Sequence, residues 1–186
     1  MNQPQPLSQP LSPLQPRPDL IGLVPRAYAA LNTLHTEVLQ ASREAGPEAG
    51  LLTLVRLRCS QLNASSYCVE QYTADARALG ESEARLRALA GWRESGDLFT
   101  PRERAALALA ETVTLTASAA AAGPSGPASS LTPAEAACIG WTATVANAYN
   151  RVALASRITS TVPVPAPGAA VLPAQPDSAP VPVPGG

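Results

Sequence analysis

The tetrapeptide Ser65-Ser66-Tyr67-Cys68 has the spacing of a redox Cys-x-x-Cys site, with an oxygen where the first sulfur would stand. Cys68 is the member of that set with chemistry to offer. A thiolate, not a thiol, is the nucleophile, so a reactive cysteine needs a lowered pKa and a proton acceptor. Placed in the first turn of a helix, Cys68 would face unpaired backbone N–H groups and the positive end of the dipole, both of which favour the thiolate. Ser65 cannot close a disulfide with it. Glu70 and Asp75 are carboxylates close by in sequence, but nothing in their spacing sets either against the sulfur. His35 is the only histidine. It lies on an earlier helix and reads as structural or surface. Without a second histidine or a cysteine pair at ligand spacing, no metal site is expected, and no cofactor.

The elements that must position Cys68 read as helices, because apolar residues recur at three and four and no strand run competes. Leu31, Leu34 and Val38 form a first stripe, expected from about Pro25 to Arg43 and ended by Gly46-Pro47. Leu51, Leu54, Val55, Cys59 and Leu62 form a second, which puts Cys59 on the buried face. A helix from near Ser65 to Leu79 follows, closed by Gly80, and Ser82 caps a short one carrying Leu86 and Leu89 to Trp92. Thr100-Pro101-Arg102-Glu103 and Thr132-Pro133-Ala134-Glu135 each combine a hydroxyl cap, proline at the first helical position and a glutamate for a capping box. The first opens a helix with Ala106, Leu109, Ala110 and Val113 on one face, expected to fade before Gly123-Pro124. The second opens one last helix or a pair, reaching about Arg157. Cys138, Trp92 and Trp141 are expected in the core, and Asn147, Tyr149, Asn150 and Arg151 are expected to pack or hydrogen-bond helices together.

Prolines crowd both ends of the 186 residues, so residues 1–19 and 161–186 read as disordered tails around one helical domain at 20–160. All thirteen basic residues are arginine, interspersed with acids to a net charge of −1, so no basic face is expected for nucleic acid or membrane. No run of about 18 apolar residues occurs, and no cationic segment leads into an apolar one at Met1, so a cytoplasmic chain is expected. Three cysteines are an odd count, which argues for free thiols.

Read together, Leu54-Val55-Arg56-Leu57-Arg58-Cys59-Ser60-Gln61-Leu62-Asn63, Tyr67-Cys68-Val69-Glu70, Asp75-Ala76-Arg77-Ala78-Leu79-Gly80-Glu81, Trp92-Arg93-Glu94-Ser95, Phe99 to Ala108, and Ala146-Asn147-Ala148-Tyr149-Asn150-Arg151 resemble the carboxymuconolactone decarboxylase superfamily. Within it they resemble the AhpD-like alkylhydroperoxidase branch, over about Tyr28 to Arg157. The resemblance implies a compact all-α fold of about six or seven helices, assembled as homo-oligomers (dimers, trimers or hexamers). It implies peroxidase chemistry in which the second cysteine attacks a hydroperoxide, the first resolves the sulfenic acid, and a Glu and a His relay protons. This chain has Cys68 for the attacking thiol, Ser65 at the resolving position, Thr53 at the Glu position and Tyr72 at the His position. Cys59 is a weak alternative resolving thiol, given its place on the apolar stripe. The expected function is therefore a thiol peroxidase of reduced or lost activity, restored by an external thiol reductant. The alternative is a non-catalytic oligomeric scaffold or small-molecule-binding member of the same fold.

Overall fold

The computed structural model describes residues 18–115, 130–156 and 158. Seven α-helices run through them: α1 (Leu20–Leu23), α2 (Pro25–Ala45), α3 (Ala49–Leu62), α4 (Ser66–Ala78), α5 (Glu83–Ala88), α6 (Pro101–Thr114) and α7 (Pro133–Ser156). Two 3₁₀ turns, Leu89–Glu94 and Gly96–Leu98, join α5 to α6. No strand occurs among the described residues, so the all-α expectation holds. None of the described helices is long and apolar enough to cross a membrane. The expected tails, apart from residues 18 and 19, and the glycine-proline stretch after α6 lie outside the described residues.

Local chemistry explains most of the boundaries. Gly46 at φ 103° ends α2, and Gly80 at φ 88° follows α4, a left-handed conformation that costs glycine nothing. The Ser82 hydroxyl accepts from Arg85 N–H at the start of α5. At α6 the capping box is complete, with Thr100 and Glu103 accepting from each other's backbone N–H. Thr132 and Glu135 make the same pair of bonds ahead of α7. The region after Thr132 forms one continuous helix.

The bundle is arranged around α3, which packs against α4, α6 and α7, while α2 lies along α7. Leu51, Leu52, Thr53, Leu54, Val55, Leu57, Cys59 and Ser60 are all buried, so α3 is enclosed on nearly every face rather than along one stripe. Two hydrophobic clusters result. One gathers Leu54, Leu57, Cys68, Tyr72, Leu89, Trp92, Phe99 and Leu107. The other gathers Leu51, Leu52, Val55, Cys59, Ala106, Ala110, Ile139, Ala143 and Ala146.

Trp92 sits in the core as expected, but Trp141 does not: it is 53% exposed. The buried stripe of α7 runs through Ile139, Thr142, Ala143 and Ala146, and a residue two positions beyond Ile139 points about 200° away from it. Trp141 instead lines a surface groove of about 230 Å³ with Leu34, Glu37, Val38, Ala41 and Cys138. Leu34, expected on the inward stripe of α2, is exposed beside it.

Glu111 ties three elements together. Its carboxylate accepts from Trp92 Nε1 at 2.9 Å, Arg58 Nε at 2.8 Å and Arg93 Nη1 at 2.5 Å. Burial pushes the carboxyl up, but the three hydrogen bonds together hold it below its ordinary value. Truncation would strand the largely buried Arg58 guanidinium. Glu111→Ala is expected to cost about 3–5 kcal/mol, read as a lowered denaturant midpoint; a loss under about 1 kcal/mol would contradict the role given to Glu111. Glu135 is held down to about 2 by the Thr132 backbone N–H and by Arg102. A depressed carboxyl contributes stability that is present above the unfolded value and lost as pH falls through the folded one. Thermal stability is thus expected to decline progressively on acidification from about 4.5 towards 2. A melting temperature flat through that window would argue against these pairings. Ala64 is the only described non-glycine residue at positive φ, 52°. Ala64→Gly should therefore raise stability by up to about 1 kcal/mol, checked by the same unfolding measurement.

Candidate functional site

Cys68 is placed by the turn between α3 and α4. Asn63 Nδ2 donates to Cys59 O at 2.8 Å and to Asn147 Oδ1 at 2.6 Å, anchoring the end of α3 to α7. Ala64 then turns the chain left-handed, and Ser65 N–H donates back to Ser60 O at 3.1 Å. Ser65 becomes the N-cap residue of α4, yet its hydroxyl makes no capping bond to the helix. It stands beside the Cys68 sulfur instead, near enough to favour the charged form of that thiol. The resolving position of the resemblance is therefore next to Cys68 in space, occupied by oxygen.

Cys68 is 4% exposed and packs in the first cluster with Tyr72. Burial pushes its thiol up, opposed by the Ser65 hydroxyl. That direction is the reverse of what a helix start alone favours. The reason is that the sulfur faces packed apolar side chains, which penalise the charged form. No imidazole stands in for the proton acceptor. Tyr72 is buried, and burial raises its phenol above the ordinary range despite the nearby Arg56. Thr53 is fully buried and its hydroxyl donates to Ala49 O at 2.8 Å, so it has no titratable role.

Residues far apart along the chain meet beside this pair. Arg56 Nη2 donates to Thr53 Oγ1 at 2.8 Å, and the guanidinium lies over the Tyr72 ring, 5.4 Å from its centroid. The His35 ring meets Tyr149 edge-on at 5.6 Å, and Tyr149 meets Tyr28 at 6.1 Å. Tyr149 is tied to α2 by its hydroxyl, which donates to Asn32 Oδ1 at 2.8 Å. Tyr28 and Tyr67 both interact electrostatically with Cys68. All four tyrosines of the chain and its one histidine thus gather around Arg56 and Cys68. His35 is lowered to about 4, by burial and then by Arg56, so it is neutral at physiological pH. Arg56 was within sequence reach, one turn after Thr53 on the same helix. Tyr28, Asn32 and Tyr149 were not, because only the packing of α2 on α7 brings them to α3 and α4.

The remaining candidates lie elsewhere. Cys59 is fully buried in the second cluster, where Thr114 Oγ1 donates to its sulfur at 3.3 Å, and burial pushes the thiol up to about 11. Cys59 and Cys68 belong to separate clusters, and all three cysteines are free thiols. Cys138 is buried at the edge of the Trp141 groove. Glu70 is exposed, while Asp75 acts on Tyr72. Asn147 and Asn150 bond helices together, as expected, Asn147 to Thr114 and Asn63 and Asn150 to Ser60, whereas Arg151 bonds only Asn147 O within α7. No cluster of three or more potential metal ligands occurs among the described residues.

With this geometry in place, comparison with known proteins gives three findings. Residues 25–112 match the model of the carboxymuconolactone decarboxylase family. A 62-residue stretch, 33% of the chain, is 44% identical to the uncharacterised protein YdfG of Bacillus subtilis, and spans 42% of that relative's length. The fold is similar to a crystal structure from Agrobacterium tumefaciens, a protein of unknown function described there as a candidate AhpD antioxidant defence protein. The TM-score is 0.67 at 26% identity, over 80% of this chain and 99% of that one. The matched region, the helical architecture and the motif order together support the likeness of residues 25–112 to the carboxymuconolactone decarboxylase family, and the fold is AhpD-like.

Proposed function

We propose that this chain is an AhpD-like thiol peroxidase that reduces hydroperoxides slowly, through Cys68 alone, and depends on an external thiol to be restored. The observation that carries the reading is Cys68 at the head of α4 with the Ser65 hydroxyl beside its sulfur. The attacking sulfur keeps its place at the head of α4 while the residue beside it can stabilise a thiolate but not form a disulfide.

The chemistry balances with that one co-reactant. The Cys68 thiolate attacks the distal peroxide oxygen, an S–O bond forms as the O–O bond breaks, and an alcohol leaves after taking a proton. An external thiol displaces water from the sulfenic acid to give a mixed disulfide. A second thiol releases Cys68 and departs as the oxidised disulfide. The full homo-oligomer is the form in which we expect this to occur, in line with the family resemblance.

The second reading, a non-catalytic scaffold of the same fold, is favoured by the buried thiol and by the lack of a base against it among the described residues. Peroxide consumption with a small-thiol reductant separates the two. Cys68→Ser should abolish it, whereas equal consumption by parent and variant would support the scaffold. Because burial raises the thiol, the thiolate is a minor species at pH 7, and the oxidation rate should climb about tenfold per pH unit through the alkaline range. A rate flat from pH 6 to 9 would count against Cys68 as nucleophile. Ser65→Cys supplies the missing sulfur. Peroxide treatment of that variant is expected to remove two thiols per chain without added reductant, counted by thiol titration, and removal of only one would show that the geometry does not support a bridge.

A further inference from the structure

A half-buried guanidinium normally has an acid or a set of carbonyls opposite it, because an uncompensated charge removed from water is costly. Each of the other half-buried arginines follows that rule. Arg58 faces Glu111, Arg85 faces Glu81 and Glu103, and Arg102 faces Glu48 and Glu135. Arg104 donates to the carbonyls of Phe99, Arg93 and Gly96. Arg56 departs from it. Its Nε donates to Leu52 O at 3.3 Å and its Nη2 to Thr53 Oγ1 at 2.8 Å, both on its own helix, and no carboxylate pairs with it among the described residues. Of the five guanidinium N–H donors, the two on Nη1 and one on Nη2 have no partner there.

The surroundings of Arg56 are aromatic and neutral. Tyr72 from α4 lies under its guanidinium, and His35 from α2 and Tyr149 from α7 are near enough to feel its charge. Asp75 reaches the neighbourhood only through its effect on Tyr72. On α3 itself, Thr53 stands one turn before Arg56, where an acidic side chain would pair with it at i,i+3.

We propose that Arg56 is the anchor of a binding site for a small organic monocarboxylate, whose carboxylate takes the paired Nη1 and Nη2 donors and whose body rests against Tyr149 and His35. The planar fork matches a carboxylate in bidentate geometry. A single cation with uncharged aromatic walls suits a monoanion with an apolar body better than a dianionic phosphate. The charge that Thr53 leaves unanswered on the chain is answered by the ligand. The site does not depend on turnover at Cys68, so it stands or falls separately from the peroxidase reading.

The test uses benzoate and propionate on the full chain, read by calorimetry and by the shift in melting temperature, with benzamide and inorganic phosphate as controls. Saturable binding of the carboxylates without binding of benzamide is expected, and Cys68→Ser should retain it. Arg56→Gln should weaken it about tenfold or more, the loss expected for a charge-assisted hydrogen bond. Thr53→Glu should weaken it similarly, because the new side chain occupies the guanidinium from within; helix content and oligomeric state of both variants are compared with the parent. Three outcomes overturn the proposal. One is no binding of either carboxylate at millimolar concentration, as when a neighbouring copy of the chain covers Arg56. Another is binding unchanged in Arg56→Gln, and the third is phosphate binding as tightly as benzoate.

Discussion

The enclosure of α3 is the constraint on which the rest of the structure depends. A helix packed by α4, α6 and α7 at once has little solvent-facing surface for polar side chains, so most polar groups on it are matched inside the protein. Thr53 and Ser60 return their hydroxyls to backbone carbonyls one turn earlier. Arg58 is matched by Glu111 from α6, and the Ser60 hydroxyl is shared with Asn150 from α7. These matches fix how α6 and α7 sit on α3, and through them where the turn into α4 delivers Cys68.

The same enclosure explains why the two sulfurs nearest in sequence behave differently. Cys59 points into the alanine-rich contact with α6 and α7, where small residues let the helices approach closely and leave the thiol only Thr114 for company. Cys68 starts the next helix on the other side of α3, beside Ser65 and the tyrosine cluster. Both thiols are raised by burial, but only Cys68 has a hydroxyl partner placed by the turn itself and a surrounding of polar aromatic groups. A buried polar network of this kind is stabilising only when its members are satisfied. Arg56 is the member that the chain leaves partly unsatisfied.

Much of this was legible along the chain. The capping boxes at Thr100 and Thr132, the left-handed closures at Gly46 and Gly80, and the apolar stripe through Leu51, Leu54, Val55 and Cys59 depend on neighbours within a few residues, and each appears where local chemistry puts it. The stripe argument failed for Leu34 and said nothing useful about Trp141, since one stripe cannot tell which part of a long helix its partners cover. Along α2, Val38 is covered and Leu34 is left at the groove.

The sequence by itself determined that the chain is helical, that Cys68 heads a helix with a serine three residues before it, and that neither a carboxylate nor an imidazole stands at positions 53 and 72. Those are statements about residue type and short spacing, which local backbone preferences and side-chain chemistry decide. Only the tertiary structure decided that burial outweighs the helix start in setting the Cys68 thiol. Only it decided that His35 serves Arg56 and Tyr149 rather than the sulfur, and that the four tyrosines converge. Desolvation and through-space charge depend on which helices meet, and that meeting joins residues as far apart as Asn32 and Tyr149.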